Sequence, residues 1–507
     1  MNALIPLYVV IPLASAFIMA ILGRLIKNIG KVVVVVELLF LTCLTLFFML
    51  KSQGTLVYRV GGFPDVGDIP IAIYMVMDGL SKLLLLIISA VGFLTALYSV
   101  SYTREYTAER KFYILFSLMI AGMNGIVISG DIFNIYVFLE IAAISSYILV
   151  AFGVEKHQLE ASFKYQVLGC LASLLILLAI GFIYWGTGTL NIADISRQLP
   201  YSAPFVKFVS LLFLVGFGLK AAIFPFHAWL PDAHSSAPSP ISAMLSGVLI
   251  KAIGLYVIFR LFFSMFALNA DIAMTIIVLG TLSMIIGGLM AIGQWDMKRL
   301  LAYSSISQMG YVVMGVGIGM LILVRNGSQT IAAFAIFGAL LHLLNHSVFK
   351  SLLFLNAGAV EYRTGIRDMR KLGGLSEKMP ITSKTSLIAS MSISGIPPFN
   401  GFFSKLIIIL AAVQAQFYWL AFIAVAVSII TISYFLKFQK YIFYNKPGEY
   451  DHQIKEAPLP MSIAMMILAL LCIMLSLMVI PSLRDQFIFP AVNVLIKNLQ
   501  YSAAVLG

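Results

Sequence analysis

Gly218-Leu219-Lys220-Ala221-Ala222-Ile223-Phe224-Pro225 sets a lysine beside a helix breaker inside a long apolar run. The stretch Ser394-Gly395-Ile396-Pro397-Pro398-Phe399-Asn400-Gly401-Phe402-Phe403-Ser404-Lys405 does the same further along the chain. Proline inside a helix removes a backbone hydrogen bond and frees polar groups. In a bilayer such backbone is tolerated only where protein buries it or where it lines a watery cavity. Interrupted apolar segments in two halves of a chain point to inverted-repeat transport sites.

The surroundings of both stretches are apolar throughout. Of 507 residues, 61% are hydrophobic and 11% charged, with a mean hydropathy of +1.01. A soluble chain would be about a quarter charged, and a bilayer-spanning helix needs ~20 mostly apolar residues. A cytosolic enzyme with an anchor is excluded. So is a β-barrel, because the apolar runs are continuous rather than alternating. The expected fold is an all-α polytopic membrane protein of about fourteen transmembrane helices. The spans run 3–22, 32–50, 76–100, 112–129, 132–151, 162–185, 205–225, 238–262, 270–290, 300–320, 330–356, 381–411, 416–443 and 457–480. The breaks then fall in the seventh and twelfth spans. Five is an odd offset, so equivalent spans run in opposite directions. Residues 51–73, with Gly61-Gly62-Phe63-Pro64, read as a hairpin, 191–199 as a short interfacial helix, and 481–507 as a mixed tail with a surface helix.

Orientation follows from the basic residues. Met1 to Leu22 is apolar with no basic residue before it, unlike a cleavable signal peptide. Arg24, Lys27 and Lys31 come after it, so a retained first helix with its N-terminus outside is expected. With that start, inside loops collect 20 of the 33 Lys and Arg, Lys298 and Arg299 among them. Outside loops collect 8: Lys51, Arg59, Arg197, Lys207, Arg260, Arg325, Arg484 and Lys497. This is the positive-inside bias, and an even span count puts both termini outside the cell membrane. The net charge of +12 is thus a topology signal, and no nucleic-acid partner is expected. Cys43, Cys170 and Cys472 are too dispersed for a metal, haem or iron–sulfur site, and no phosphate-binding glycine loop follows a strand. No cofactor or metal is expected in this chain.

Five lysines remain in or near the membrane: Lys82, Lys220, Lys251, Lys350 and Lys405. Each central one costs ~2.5–3.5 kcal/mol on insertion scales. Lys82 lies at the outside end of its span, where the amine reaches the interface by snorkelling. Lys220, Lys251 and Lys405 are more central, and intramembrane ionisable groups mark ion paths. Burial disfavours a charged lysine and a nearby carboxylate restores it, so a lysine with a mobile acidic partner can hold or release a proton. Glu140, in Phe138-Leu139-Glu140-Ile141-Ala142, is the one acid placed near the middle of a span; its bland alternative is a fixed salt bridge. His342, His346 and Lys350 share one helix face at i, i+4, i+8. They read as a relay of titratable groups, against a zinc spacing lacking further ligands or a plain buried histidine stripe.

Three motifs resemble a known family. They are His227-Ala228-Trp229-Leu230-Pro231-Asp232-Ala233-His234 followed by Ala237-Pro238, the run from Asp296 to Gly310 (Asp296-Met297-Lys298-Arg299 through Ser304-Ser305-Ile306-Ser307-Gln308-Met309-Gly310), and Gly395-Ile396-Pro397-Pro398-Phe399-Asn400-Gly401-Phe402. Together they resemble the antiporter-like subunits of complex I, of Mrp-type Na+/H+ antiporters and of energy-converting membrane-bound hydrogenases, over nearly the whole chain. The resemblance implies fourteen helices with two inverted five-helix repeats and broken helices 7 and 12. It divides the chain into 1–111, a first repeat over 112–262, a second over 270–443, and a last helix and tail over 457–507. It implies that Glu140 pairs with Lys220, that Lys251 is the central lysine, that His342 and His346 lie in the relay, and that Lys405 ends it. Lysine at that last position, where some branches carry glutamate, and the lack of a long C-terminal extension resemble the Mrp D type.

The expected function is proton translocation along Glu140, Lys220, Lys251, His342, His346 and Lys405, with no redox site in this chain. Expected partners are the lipid bilayer and other membrane subunits, with hydrogenase or ferredoxin- or NADH-oxidising modules as further candidates. The expected transported ion is H+, with Na+ a further candidate through this chain or a neighbour. The rival readings are a proton-pumping subunit of complex I, an independent transporter of a small solute, and a scaffold whose buried charges are structural.

Overall fold

The structure is a computed structural model; it describes every residue except 27, 53, 64–69, 200–202, 267, 447, 449, 451–453 and 498–499. The apolar runs form helices, and among the described residues 13 are long and apolar enough to cross a membrane, from Asn2–Leu22 to Leu459–Val479. The span expected over 381–411 is two helices of 15 residues each, Pro380–Ser394 and Asn400–Gln414. Neither half reaches the ~20 residues a span needs; the two together supply that length. Short polar side chains set the helix starts. Asp78, Asp131 and Asp296 accept from the amides of Ser81, Asn134 and Arg299, and Asn269 from those of Asp271 and Ile272, satisfying donors that have no intrahelical partner.

The helix Ser239–Met265 is buried along its whole length, with Met297–Val324 and Gln329–Thr364 nearly so. Lys156–Thr187, Tyr418–Tyr444 and Leu459–Val479 form part of the periphery and expose residues such as Phe163, Trp185, Trp419 and Phe422. Lipid tails are as apolar as such side chains and accept these faces without penalty. The central helix is irregular: Leu245–Leu249, Lys251–Leu255 and Leu261–Met265 are π-helical. Wide turns of this kind are rare and concentrate at functional sites.

The expected hairpin is met in part: Leu56–Arg59 pairs antiparallel with Tyr74–Met77, Leu56 opposite Met77, so the second strand lies beyond residue 73. The next helix therefore begins at Gly79, capped by Asp78, rather than at 76. Pro64 of the expected turn and Lys27 of the inner-loop tally lie outside the described residues. Ile192–Gln198 forms the short helix, and the tail holds Pro481–Phe487, Phe489–Ile496 and Tyr501–Leu506. Lys82 reaches the Ser52 carbonyl at 2.9 Å.

Three charge assignments need correction. Arg260, counted with an outside loop, is buried; its guanidinium donates to both Asp78 oxygens at 2.6 and 2.9 Å under the Tyr501 ring, 5.2 Å away. Lys298, counted with an inside loop, is buried too. It donates to the Ala237 carbonyl and lies 3.7 Å from Glu361. Glu140 is also not alone among acids within spans, since Glu37 in Ile29–Lys51 is buried and accepts from Ser117 at 2.9 Å. A charge near the end of an apolar window is counted with the loop when its buried partner is distant in sequence.

Candidate functional site

The first interruption follows Ala203–Ala221. Ala222 is left-handed at φ 53, the Phe224–Pro225 peptide is cis, and helix resumes at Trp229–Ser236. Lys220, in the last turn before the break, is almost completely buried. Its Nζ lies 3.9 Å from Glu140 Oε1 and donates to the Tyr147 hydroxyl at 3.3 Å. Both partners sit on Ile132–Val150, seven residues and hence about two turns apart on one face. Glu140 accepts a hydrogen bond from Ser173, and its side chain is 28% exposed.

Lys251 lies at the centre, inside the irregular helix. Its ammonium donates to carbonyls one turn earlier, Ser246 at 3.0 Å and Gly247. Lys350 donates to the Ser304 hydroxyl. His342 is held between Ser404 Oγ at 2.9 Å and Gln308 Oε1 at 3.2 Å. His346, one turn on, is fully buried, and neither ring nitrogen has a hydrogen-bond partner among the described residues.

The second interruption follows Pro380–Ser394. Gly395 sits at φ 77, a conformation that glycine adopts without a steric penalty, and Pro397–Pro398 is cis. Lys405, in the helix after the break, donates back across it to the Ile393 carbonyl at 2.8 Å. The Ser428 hydroxyl lies 3.5 Å away and the Tyr311 ring centroid 5.1 Å away. The last carbonyls of a helix lack intrahelical donors, so the break itself supplies the acceptor. No carboxylate lies within 4.0 Å of Lys251, Lys350 or Lys405 among the described residues.

The structure thus brings Glu140 and Lys220 together and joins His342 to Ser404, the neighbour of Lys405. Lys251 makes no direct hydrogen bond to Lys220 or His346 among the described residues. Two polar features were not read from sequence. His234 is fully buried, with both ring nitrogens unpaired among the described residues; it stands in a quoted motif, but only tertiary packing buries it. The Lys298–Glu361 pair was hidden because the lysine lies one residue inside its helix and its acid 63 positions on. The site thus holds several buried basic groups: Lys251, Lys350 and Lys405 in neutral hydrogen-bonding surroundings, and Lys220 beside one acid. Such intramembrane ionisable groups suit transfer of protons.

Comparison with known proteins agrees with this architecture. Residues 129–431 match the family described as NADH:quinone oxidoreductase/Mrp antiporter, TM. The chain is 35% identical to NADH-quinone oxidoreductase subunit N of Desulforudis audaxviator, over 75% of this chain and 74% of that protein. It is also 35% identical to the D-type Na(+)/H(+) antiporter subunit of Alkalihalophilus pseudofirmus, over 80% and 79%. Against Na(+)/H(+) antiporter subunit A1 of Staphylococcus aureus it is 34% identical over 94% of its own length and 61% of that longer protein. Two solved structures resemble it along nearly the whole chain. A chain of the Mrp complex from Dietzia sp. DQ12-45-1b has a TM-score of 0.90 at 26% identity, covering 100% of this chain and 99% of that one. A chain of the membrane-bound sulfane sulfur reductase, an archaeal respiratory membrane complex, has 0.87 at 29%, covering 99% of each. Buried lysines beside two interrupted helices and identity spread over most of the length lead to one assignment: the chain is a multi-pass member of the NADH:quinone oxidoreductase/Mrp antiporter transmembrane family.

Proposed function

We propose that this chain translocates protons as an antiporter-like, Mrp D-type subunit of a multisubunit complex in the cell membrane. The path runs through Glu140, Lys220, Lys251, His346, His342 and Lys405. The observation that carries the proposal is the contrast within this row. Lys220 faces a carboxylate, whereas among the described residues the hydrogen-bond partners of Lys251 and Lys405 are carbonyl and hydroxyl oxygens. An ammonium with an acidic partner holds its proton and one without it gives the proton up more readily, so the row has a direction. In this reading 112–262 and 270–443 are inverted repeats, each supplying one broken helix, and both termini lie outside.

Proton transport in vesicles carrying the assembled complex tests the reading. Lys251→Ala is expected to abolish transport with the complex intact; normal transport by this variant sinks the proposal. Topology is tested by cysteines at positions 104 and 367, expected to be labelled from the inside only. Labelling of either from outside overturns the orientation.

A further inference from the structure

The contacts around Lys220 close into a ring that returns to its own helix. The Lys220 ammonium touches the Tyr147 hydroxyl at 3.3 Å. The Tyr147 ring meets Tyr165 edge-on, with centroids 4.5 Å apart. Tyr165 stacks on Trp229 at 4.2 Å, the planes 7° from parallel. The Trp229 indole N–H donates to the Leu219 carbonyl at 2.9 Å, one residue before Lys220. That carbonyl also accepts from the Ala222 amide at 3.2 Å. Trp229 is the first residue of the helix beyond the break. The ring therefore ties the two sides of the interruption to each other and to the lysine. All three aromatic side chains are buried.

Lys220 also has two oxygen partners of different kinds on one helix face. Glu140 offers a part-exposed carboxyl group at 3.9 Å; the Tyr147 hydroxyl is buried and nearer. We propose that Tyr147 is a positioning residue, the second docking point of the Lys220 ammonium, and that the Tyr147–Tyr165–Trp229 stack couples the choice of partner to the geometry of the broken helix. A shift of the segment after the break moves Trp229. Through Tyr165 this moves the hydroxyl away from, or towards, the ammonium. Aromatic stacks transmit such a shift because packed rings have few alternative arrangements. The inference rests on proton transfer through Lys220.

The titratable groups facing Lys220 are Glu140 and Tyr147 from Ile132–Val150 and Cys170 from Lys156–Thr187. The central helix meets this region through Gly254 against Ala221, with its Lys251 turned to its own carbonyls. The experiment measures proton transport against pH in vesicles carrying the whole complex, for Tyr147→Phe, Trp229→Phe and Lys220→Ala. Tyr147→Phe keeps the ring and removes only the hydroxyl. Its rate is expected to fall about tenfold, as for one lost hydrogen bond to a charged group. Its pH profile is expected to move towards lower pH, since an acceptor of the ammonium is gone. Trp229→Phe keeps an aromatic ring in the stack, removes the indole donor, and is expected to move the profile the same way by less. A parental rate and profile for Tyr147→Phe, or a lower rate on an unmoved profile, overturns the inference. If that variant does not assemble, Trp229→Phe decides on the same criterion. Normal transport by Lys220→Ala would defeat the underlying reading of the row. An inactive Lys220→Ala beside an unaltered Tyr147→Phe would defeat only the role of Tyr147.

Discussion

At the first break the lysine precedes the interruption and faces a carboxylate; at the second it follows the interruption and faces a carbonyl. Lys220 is tied to Glu140 and Tyr147, which belong to another helix. Lys405 is tied to Ile393, the other half of its own broken helix. The backbones differ as well. Ala222 takes the left-handed conformation that Cβ disfavours, whereas Gly395 takes it freely. The first site is therefore set by an ion pair to another helix and a strained turn. The second is set by carbonyl dipoles that the break itself exposes and to which the ammonium donates.

Removing either lysine is the harshest way to test this comparison. Lys220→Ala and Lys405→Ala are both expected to abolish proton transport in vesicles while the complex still assembles. Full transport by the Lys405 variant would show that the second break is only structural. Lys405→Glu is expected to keep partial activity, because a titratable group remains at the end of the row. Next in size is the ion pair. Glu140→Gln is expected to reduce transport strongly, and combining it with Lys220→Ala to add little, since residues acting as a unit are non-additive. Losses that multiply would show two independent groups.

The asymmetry can also be erased. Ser428→Asp places a carboxylate near Lys405, whose Nζ lies 3.5 Å from the serine hydroxyl. This is expected to hold the ammonium charged and slow transport about tenfold, the order of one charge-assisted hydrogen bond. An unchanged rate would mean that the neutral surroundings of Lys405 are incidental. The smallest effect concerns the turns. Gly395→Ala forces a Cβ into a left-handed position and is expected to cost ~1 kcal/mol or more in thermal unfolding of the solubilised complex. Ala222→Gly is expected to cost nothing and to leave the melting temperature at or above the parental value. A clear destabilisation by Ala222→Gly would contradict strain at that turn.

The sequence made the helical membrane fold legible because ~20-residue apolar runs have few other uses. Both interruptions were visible as Gly and Pro inside such runs, and the cost of a mid-membrane charge singled out Lys220, Lys251 and Lys405. Less local features were hidden. The carbonyls that receive Lys251 depend on wide helical turns, and no residue pattern in Leu245–Leu255 announces them. Tyr147 and Tyr165 read as ordinary apolar bulk, and Trp229, although part of a motif, shows its link to Lys220 only once the helices are packed. Lys298 and Arg260 looked like loop charges because their acids, Glu361 and Asp78, are distant in the chain.

The Arg260–Asp78 pair bears on how the protein is made. Asp78 precedes Arg260 by 182 positions, so during synthesis it reaches the bilayer first, at the start of Gly79–Tyr102. The later helix then arrives carrying a guanidinium whose insertion alone is penalised by ~2.5–3.5 kcal/mol. A carboxylate already in place turns that penalty into a reason for the new helix to dock beside the older one. The pair is therefore expected to order the insertion of these two helices. A nascent chain lacking Asp78 is expected to stall with this helix unplaced and to be handed to membrane quality-control proteases before any subunit can join it.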